Sequence, residues 1–465
     1  MSQEVFDVVI VGGGPSGMSA AFELRDRKIL LLEKSDRLGG RLYSLPRGDY
    51  WMNLGGHLLP GPGSRIRTML ASLGLDVIKI PGNKFGLYFG GKVYSPKSVS
   101  TLPFLLPLTF AERLSLIAVG LRLKRAVASW KTVTAARPGE AEQERRARLS
   151  GFLRDISLRD LIKSPAKRID EIFKSTARRA AAELDDQAAG VGVSLFGVVW
   201  SSGEGGLSVN LNGGSGRLGM EMARLLQDRV IYSAGVESVE KTQGNLRITY
   251  QKYGAKRTVI ARQAIIAVPA LAAAEMTADI PEDVAATLRS VRYGAFPTMA
   301  VLTNETEPMP WDHLYAVTTP DASFDMLFNH GNPLRTDAAV RKPGGSLMVY
   351  AGGKPADELM KLSDDEIRER YLNDLYKIYP QLRSIIAETI VQRWSPGNTY
   401  RAPNFVFDPM FTYCQRGDVD IHFAGDYFAD IGTMETAAAT GFEAALRARV
   451  RLEERDSSGR SALSP

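Results

Sequence analysis

The sequence predicts an α/β protein in which one nucleotide-binding scaffold is visited three times, interleaved with a second, α+β part and a helical insertion. Three observations predict it. A strand, a glycine-rich turn, a helix, a second strand and an acid follow one another within the first forty residues. A second Gly-Gly turn opens an amphipathic helix near residue 213, and a late strand ends in Gly425-Asp426 ahead of a closing helix. At 465 residues the chain exceeds what one core holds, so two or three domains with a ligand between them are expected.

The first element is the apolar run Val8-Val9-Ile10-Val11. Gly12 permits the tight turn out of that strand, Gly14 lets a pyrophosphate approach the backbone, and Gly17 lets the next helix pack closely on the sheet. With Pro15 and Ser16 at its start, that helix turns free N–H groups toward phosphate charge. The second apolar run, Ile29-Leu30-Leu31-Leu32, ends at Glu33, about twenty residues past the glycines and placed to accept hydrogen bonds from a ribose diol. An acid there disfavours a 2′-phosphate, so NADP is not expected. Strand, triplet, helix, strand and acid in this order make a Rossmann-like dinucleotide site.

Residues 85–200 read as helical and basic, with a polar break at 135–144, an insertion outside the nucleotide fold. Gly213-Gly214-Ser215-Gly216 then precedes an amphipathic helix at 218–226, short strands at 230–232 and 236–239, and a hairpin of 246–253 with 256–261. An apolar strand, Ala264-Ile265-Ile266-Ala267-Val268, is ended by Pro269. Alternating strands at 290–395 with a helix at Asp364–Ile378 suffice for a substrate-facing sheet. The strand Ile421-His422-Phe423 runs into Gly425-Asp426, a helix follows over about 433–449, and the Ser-rich tail after Glu454 is expected to be disordered.

The net charge of +6 is uneven: residues 113–179 hold seventeen Lys or Arg against seven Asp or Glu. A solvated helical face is one reading. Attraction to anionic lipid or an acidic partner is the other, because the apolar stretch Thr101-Leu102-Pro103-Phe104-Leu105-Leu106-Pro107-Leu108-Thr109-Phe110 and the run from Leu114 to Leu121 lie just before and within it. Two prolines and short length exclude a spanning helix, which needs about 20 apolar residues, and leave an interfacial patch over 101–130. Nucleic acid is not an expected partner, since no recognition motif accompanies the charge. One cysteine, Cys414, allows no internal disulfide, and four scattered histidines predict no protein-bound metal. With no secretory signal at the start, the cytoplasm is the expected compartment.

These motifs resemble the flavin-containing amine oxidase superfamily, which includes protoporphyrinogen oxidases and isoprenoid desaturases. The likeness covers Gly12 to Gly17 with Glu33-Lys34, then Asp36-Arg37-Leu38-Gly39-Gly40-Arg41, where backbone N–H groups and Arg41 would lie along a pyrophosphate. Leu54-Gly55-Gly56-His57 is similar to the segment passing the flavin ring, and Val236 to the residue whose backbone contacts adenine. Phe423-Ala424-Gly425-Asp426 with Gly432-Thr433-Met434-Glu435-Thr436-Ala437 resembles the closing motif: the acid binds the ribityl or phosphate region and a helix N-terminus faces the pyrimidine edge. Non-covalent FAD is implied, since Cys414 does not fall where a covalent link would form. The implied arrangement is a Rossmann-like FAD-binding domain (1–84, 206–290, 406–453), a helical, basic insertion and substrate domain (85–205), a substrate-domain sheet (291–405) and a flexible tail (454–465).

Departures from the family bear on the substrate. Amine-oxidising members commonly carry a lysine in the stretch that here reads Tyr293-Gly294-Ala295-Phe296-Pro297-Thr298, with Thr298 in its place, and a tyrosine where this chain has Thr433. The reading placed first is therefore removal of a hydride from a carbon centre of an apolar small molecule, with O2 or another acceptor reoxidising the flavin. The alternatives are oxidation of an amine to an imine with O2 reduced to H2O2, and a non-catalytic FAD-containing protein that docks a partner. His57 is the candidate acid or base, because imidazole titrates near neutrality; a loop-capping role is the other reading. Trp394 and Tyr400 are candidates to wall the ring, with Trp394 equally readable as core, and Tyr427 and Phe428 are either aromatic surface or core.

Overall fold

The computed structural model describes residues 4–81, 85–135, 137–140, 144, 148–163, 165–200, 209–335 and 341–461. Alternation along the strand Val5–Val11 sets up two cores. Val8 and Ile10 face Met18, Ala21 and Leu24 of helix Pro15–Glu23 and Ala438, Ala445 and Leu452 of helix Met434–Ser461. Val9 and Val11 face the opposite way, toward Leu30, Leu32, Ile248, Ala264 and Ile266. Successive side chains of a strand point to opposite faces, and a parallel sheet must be covered on both.

The sheet order is Ala234–Lys241, Leu246–Lys252, Ala255–Ile266, Val5–Val11, Ile29–Leu32 and Val230–Ile231, with Ile421–Phe423 parallel to Ala255–Ile266. In register, Val11 pairs with both Leu32 and Ile266, and Ile266 with Phe423. Four parallel strands thus end on one edge. The loops that leave them carry Gly12-Gly13-Gly14, Glu33, Ala267-Val268 and Gly425-Asp426, and this is the edge where open α/β sheets hold ligands.

A second sheet, in the order Ile386–Tyr400, Arg292–Thr303, Gly345–Tyr350, Met326–Asn329, Ala316–Thr318, Phe85–Phe89 and Lys92–Tyr94, packs Met299, Val301, Leu347 and Val349 on Ile367, Tyr371 and Leu375 of helix Asp364–Ile378. That helix starts in a capping box between Ser363 and Glu366. The insertion is helical. Leu116, Leu123 and Val127 of helix Phe110–Thr134 pack on Ile162, Phe173 and Val193, beneath Leu87 and Phe89 of the second sheet.

The structure departs from the sequence reading in four places. Residues 85–94 are two strands of the second sheet rather than the start of the helical region, since Phe85–Phe89 pairs with Ala316–Thr318, far away in sequence. The second arm of the predicted hairpin and the Ala264 run are one continuous strand, Ala255–Ile266. A short hairpin, Ser44–Arg47 with Tyr50–Asn53, was not expected. The last helix runs through the predicted tail to Ser461, tied down by Arg455 donating to Arg262 O and by Arg262 pairing with Asp456. Part of the predicted break at 135–144 lies outside the described residues.

Candidate functional site

At the sheet edge the predicted glycine stretches touch one another. Gly12 has φ +99°, a conformation L side chains rarely adopt, and a β-carbon on Gly17 would sit 1.8 Å from Gly12 O, so only glycine lets helix and turn approach this closely. A β-carbon on Gly40 would lie 3.1 Å from Gly14 Cα, which puts the second loop directly on the first, and Gly39 N–H donates to Gly13 O at 2.8 Å. Gly56 N–H donates to Arg41 O at 2.9 Å, and Arg41 reaches the closing motif, its Nη2 donating to Asp426 Oδ1 at 2.9 Å and its Nη1 to Gly397 O at 2.5 Å. Gly56 also lies against Met434, whose Cγ is 4.0 Å from the glycine's β-carbon position.

Glu33 caps this arrangement at the far end. Its Oε2 accepts from Gly13 N–H at 2.5 Å and its Oε1 from Ser35 N–H and Oγ at 2.7 and 2.8 Å. Beside it Ala234 N–H donates to Glu33 O and Ser233 N–H to Ser35 O, so Val236 and the exposed Lys34 flank the acid, away from the cavity described next.

A cavity of about 350 Å³ opens from Pro15 and Arg41 toward the second sheet. Of the residues predicted from sequence, Pro15, Arg41, Gly55, Gly56, His57, Asp426, Thr433, Met434 and Ala437 line it, together with Trp394 and Thr298. Gly12, Gly14, Ser16, Gly17, Glu33, Gly40 and Gly425 build the turn and sheet edge behind it. Trp394 is held as a wall by its Nε1 donating to Leu54 O at 2.6 Å. Tyr400 does not line the cavity, and Tyr427 is core, packed with Phe407 and Phe423. The lining also includes Arg179, Phe296, Phe328, Met348, Tyr350 and Asn398, which sequence reasoning did not single out as site residues. Phe296 stood in the stretch examined for a lysine, and Arg179 was counted only as part of the basic run.

The residues present fit FAD. A β-carbon at Gly14 would meet nothing within 4 Å, so open space lies where a phosphate would approach, and helix Pro15–Glu23 begins without a side-chain cap on its N–H groups. At the other end Thr433 Oγ1 accepts from Thr436 N–H, while the N–H groups of Met434 and Glu435 meet no acceptor among the described residues. Those donors sit at a helix start, where they favour negative charge. Glu435 points away: its carboxylate accepts from Arg65 N–H and Ile66 N–H at 2.8 and 3.0 Å and fixes the helix Arg65–Ser72. Cys414 is buried in the core and does not line the cavity.

His57 corrects one expectation. Burial pushes its pKa down to about 4, the Arg179 charge adding to the fall while the bond to Gly55 O opposes it, so the ring is neutral where free imidazole would titrate. Its Nδ1 lies 3.3 Å from Gly55 O, and its ring packs edge-on to Phe328 and His330 with centroids 4.6 and 4.8 Å apart. With Nδ1–H on Gly55 O, Nε2 keeps a lone pair and no partner. No group of three or more His, Cys, Asp or Glu among the described residues is arranged to hold a metal.

A family model described as flavin containing amine oxidoreductase matches residues 15–448. A probable flavin-containing monoamine oxidase A of Dictyostelium discoideum is 33% identical over 101 residues, 19% of this chain but only 22% of that protein's length. The flavin-containing amine oxidase A of Bos taurus is 24% identical over 401 residues, covering 80% of this chain and 69% of the bovine one. The cyclohexylamine oxidase of Brevibacterium oxydans IH-35A superposes with a TM-score of 0.72 over 97% of this chain and 100% of its own, at 18% identity, a likeness of fold.

Proposed function

Since the chain belongs to the flavin-containing amine oxidoreductase family and is an FAD-dependent oxidoreductase, we propose that it oxidises an amine to an imine, with O2 reduced to H2O2. The family match across 15–448 carries this reading, and amine-oxidising relatives favour it over the carbon-centre dehydrogenation placed first from the sequence. That earlier preference rested on the lysine and the amine-walling tyrosine absent at Thr298 and Thr433, and on the apolar, basic insertion as a lipophilic entrance. Phe296, Phe328, Tyr350 and Trp394 line the cavity from other positions, so aromatic walls do not depend on those two sites.

When bound, FAD accepts the hydride equivalent of the substrate C–H bond. The chain's own residues do the rest. The Gly12–Gly17 turn and Gly40-Arg41 would bind the pyrophosphate, Glu33 the ribose, Val236 the adenine side, and Gly55-Gly56 with Met434 the ring, without a covalent link. The N–H groups of Met434 and Glu435 would meet negative charge that develops at the ring edge. His57 stays neutral at physiological pH and keeps an unpartnered Nε2 that can accept a hydrogen bond at the cavity wall. The apolar lining, with Leu58, Phe328 and Met348, disfavours an ammonium and so favours the neutral, oxidisable amine.

The test is peroxide release by the FAD-loaded protein with a panel of primary amines. Turnover of at least one amine supports the reading; flavin reduction by none of them, with reduction by an apolar alkene precursor, returns the assignment to the carbon-centre reaction, which Thr298 in the lysine's place favours.

The cytoplasmic location and membrane contact also belong to the proposal: the protein rests on an anionic bilayer through its insertion. Phe104 and Phe110 are 71% and 77% exposed, and Leu114 and Leu121 continue the Phe110 stripe along one helix face. Lys124, Arg125 and Lys131, all exposed, follow on the same helix, a basic collar behind an apolar tip. Glu112, the acid of this helix, is taken up by the capping box with Thr109 and by Arg168. No helix among the described residues is long and apolar enough to cross a membrane.

A further inference from the structure

Two adjacent arginines follow the helix Lys167–Ala177 in the short 3-10 turn Arg178–Ala180, and they have opposite fates. Arg178 is consumed by carboxylates, its Nε 2.8 Å from Glu183 Oε1 and its Nη1 3.5 Å from Asp325 Oδ1. Arg179 faces the cavity and has no carboxylate within 4.0 Å among the described residues. The carboxylate that does line the cavity, Asp426, is already held by Arg41.

The surroundings of Arg179 are otherwise apolar or neutral. Leu195, Phe296, Phe328 and Met348 share the lining, and the Ser194 hydroxyl donates to Val191 O at 2.7 Å. The Arg179 charge helps to lower the pKa of His57, and its charge and hydrogen bond oppose the rise that burial imposes on the neighbouring Tyr350. A guanidinium in a partly desolvated wall is costly unless an anion pairs with it, and its planar fork matches a carboxylate with two parallel N–H···O bonds. Tyr350 beside it keeps its hydroxyl proton at neutral pH, its pKa pushed up to about 12, and offers a further donor. A second ammonium on the substrate would instead meet like charge across a medium of low dielectric.

We infer that Arg179 is the anchor for a substrate carboxylate, so that the preferred substrate is an amino carboxylate rather than a simple amine or a diamine. The inference deepens the proposed amine oxidation and rests on it for the oxidation step alone. Binding of the anion is a separate matter and is tested separately.

The first experiment titrates the visible flavin spectrum of the FAD-loaded protein with 3-phenylpropanoate, which carries the anion and no amine. The wild-type protein should bind it, R179Q should weaken binding on the order of tenfold to a hundredfold, and R179K should recover part of the loss. The second compares kcat/KM for phenylalanine and 2-phenylethylamine, which differ by the carboxylate alone: wild type should prefer phenylalanine and R179Q should lose or reverse that preference. No spectral binding of 3-phenylpropanoate to wild type, binding unchanged in R179Q, or a wild-type preference for 2-phenylethylamine overturns the inference. If no amine of the wider panel is oxidised, the proposed function falls, while the titration still decides whether Arg179 binds the anion.

Discussion

Arg41 and Asp426, 385 positions apart in sequence, meet through an Nη2–Oδ1 contact of 2.9 Å, and this pair closes the ring of segments around the cavity. Arg41 comes from the second glycine loop and Asp426 from the end of the last parallel strand. The pair also joins the two sheets, because Arg41 Nη1 donates to Gly397 O in the strand Ile386–Tyr400.

Asp426→Asn should therefore lose most bound FAD and cost about 2–3 kcal/mol of stability, since it leaves a guanidinium without its countercharge. FAD content after gel filtration and urea unfolding of the apoprotein measure the two effects apart.

Gly14→Ala and Gly17→Ala should separate binding from folding. Gly14 has an ordinary φ of −71° and open space at its β-carbon, so alanine there folds normally but blocks the pyrophosphate and lowers FAD affinity. At Gly17 the added carbon meets backbone at 1.8 Å, the helix must retreat, and soluble yield and thermal midpoint should fall as well. Circular dichroism with FAD titration of both variants checks the contrast.

Acid should destabilise the protein through its buried histidines. Burial lowers the pKa of His57 to about 4 and of His422 to about 3, and that of His330 well below the ordinary 6.5. Below pH 6.5 the unfolded chain takes up these protons and the folded one does not, so stability is full above 6.5 and falls as pH drops toward 4. The limit is about 1.4 kcal/mol per histidine per pH unit. Urea midpoints between pH 7.5 and 4.5 should show the slope, and His422→Gln should flatten it. The same shift predicts no ionisation of His57 near pH 6.5 in the profile of kcat/KM.

Sedimentation with phosphatidylglycerol vesicles should carry the protein down at low salt, and raising the salt should release part of it as the basic collar is screened. Phe110→Glu with Leu114→Glu should abolish binding while leaving the helical circular dichroism intact, because both side chains are exposed.

What the sequence revealed of this molecule was set by backbone geometry. Gly12, Gly17 and Gly40 could be placed because a positive φ or a close approach admits few other residues, and Arg41 and Asp426 followed from the same motifs. Arg179, Phe328 and Tyr350 stayed hidden, because they enter the cavity from segments with no local signature and ordinary core or surface composition. His57 illustrates the divide. Its place beside Gly55-Gly56 was legible, whereas the burial against Phe328 and His330 that keeps it neutral arises only when the second sheet folds over it. The strand Phe85–Phe89 was misassigned for a related reason, its partner Ala316–Thr318 being more than two hundred residues away.

The most direct measurement is anaerobic mixing of the FAD-loaded protein with primary amines, including amino carboxylates, while the visible flavin band is followed. The account predicts bleaching by at least one of them, formation of the imine or its hydrolysis product, and return of the band with peroxide when oxygen is admitted. A protein that takes up no FAD, or whose bound flavin stays oxidised with every amine offered, would contradict it.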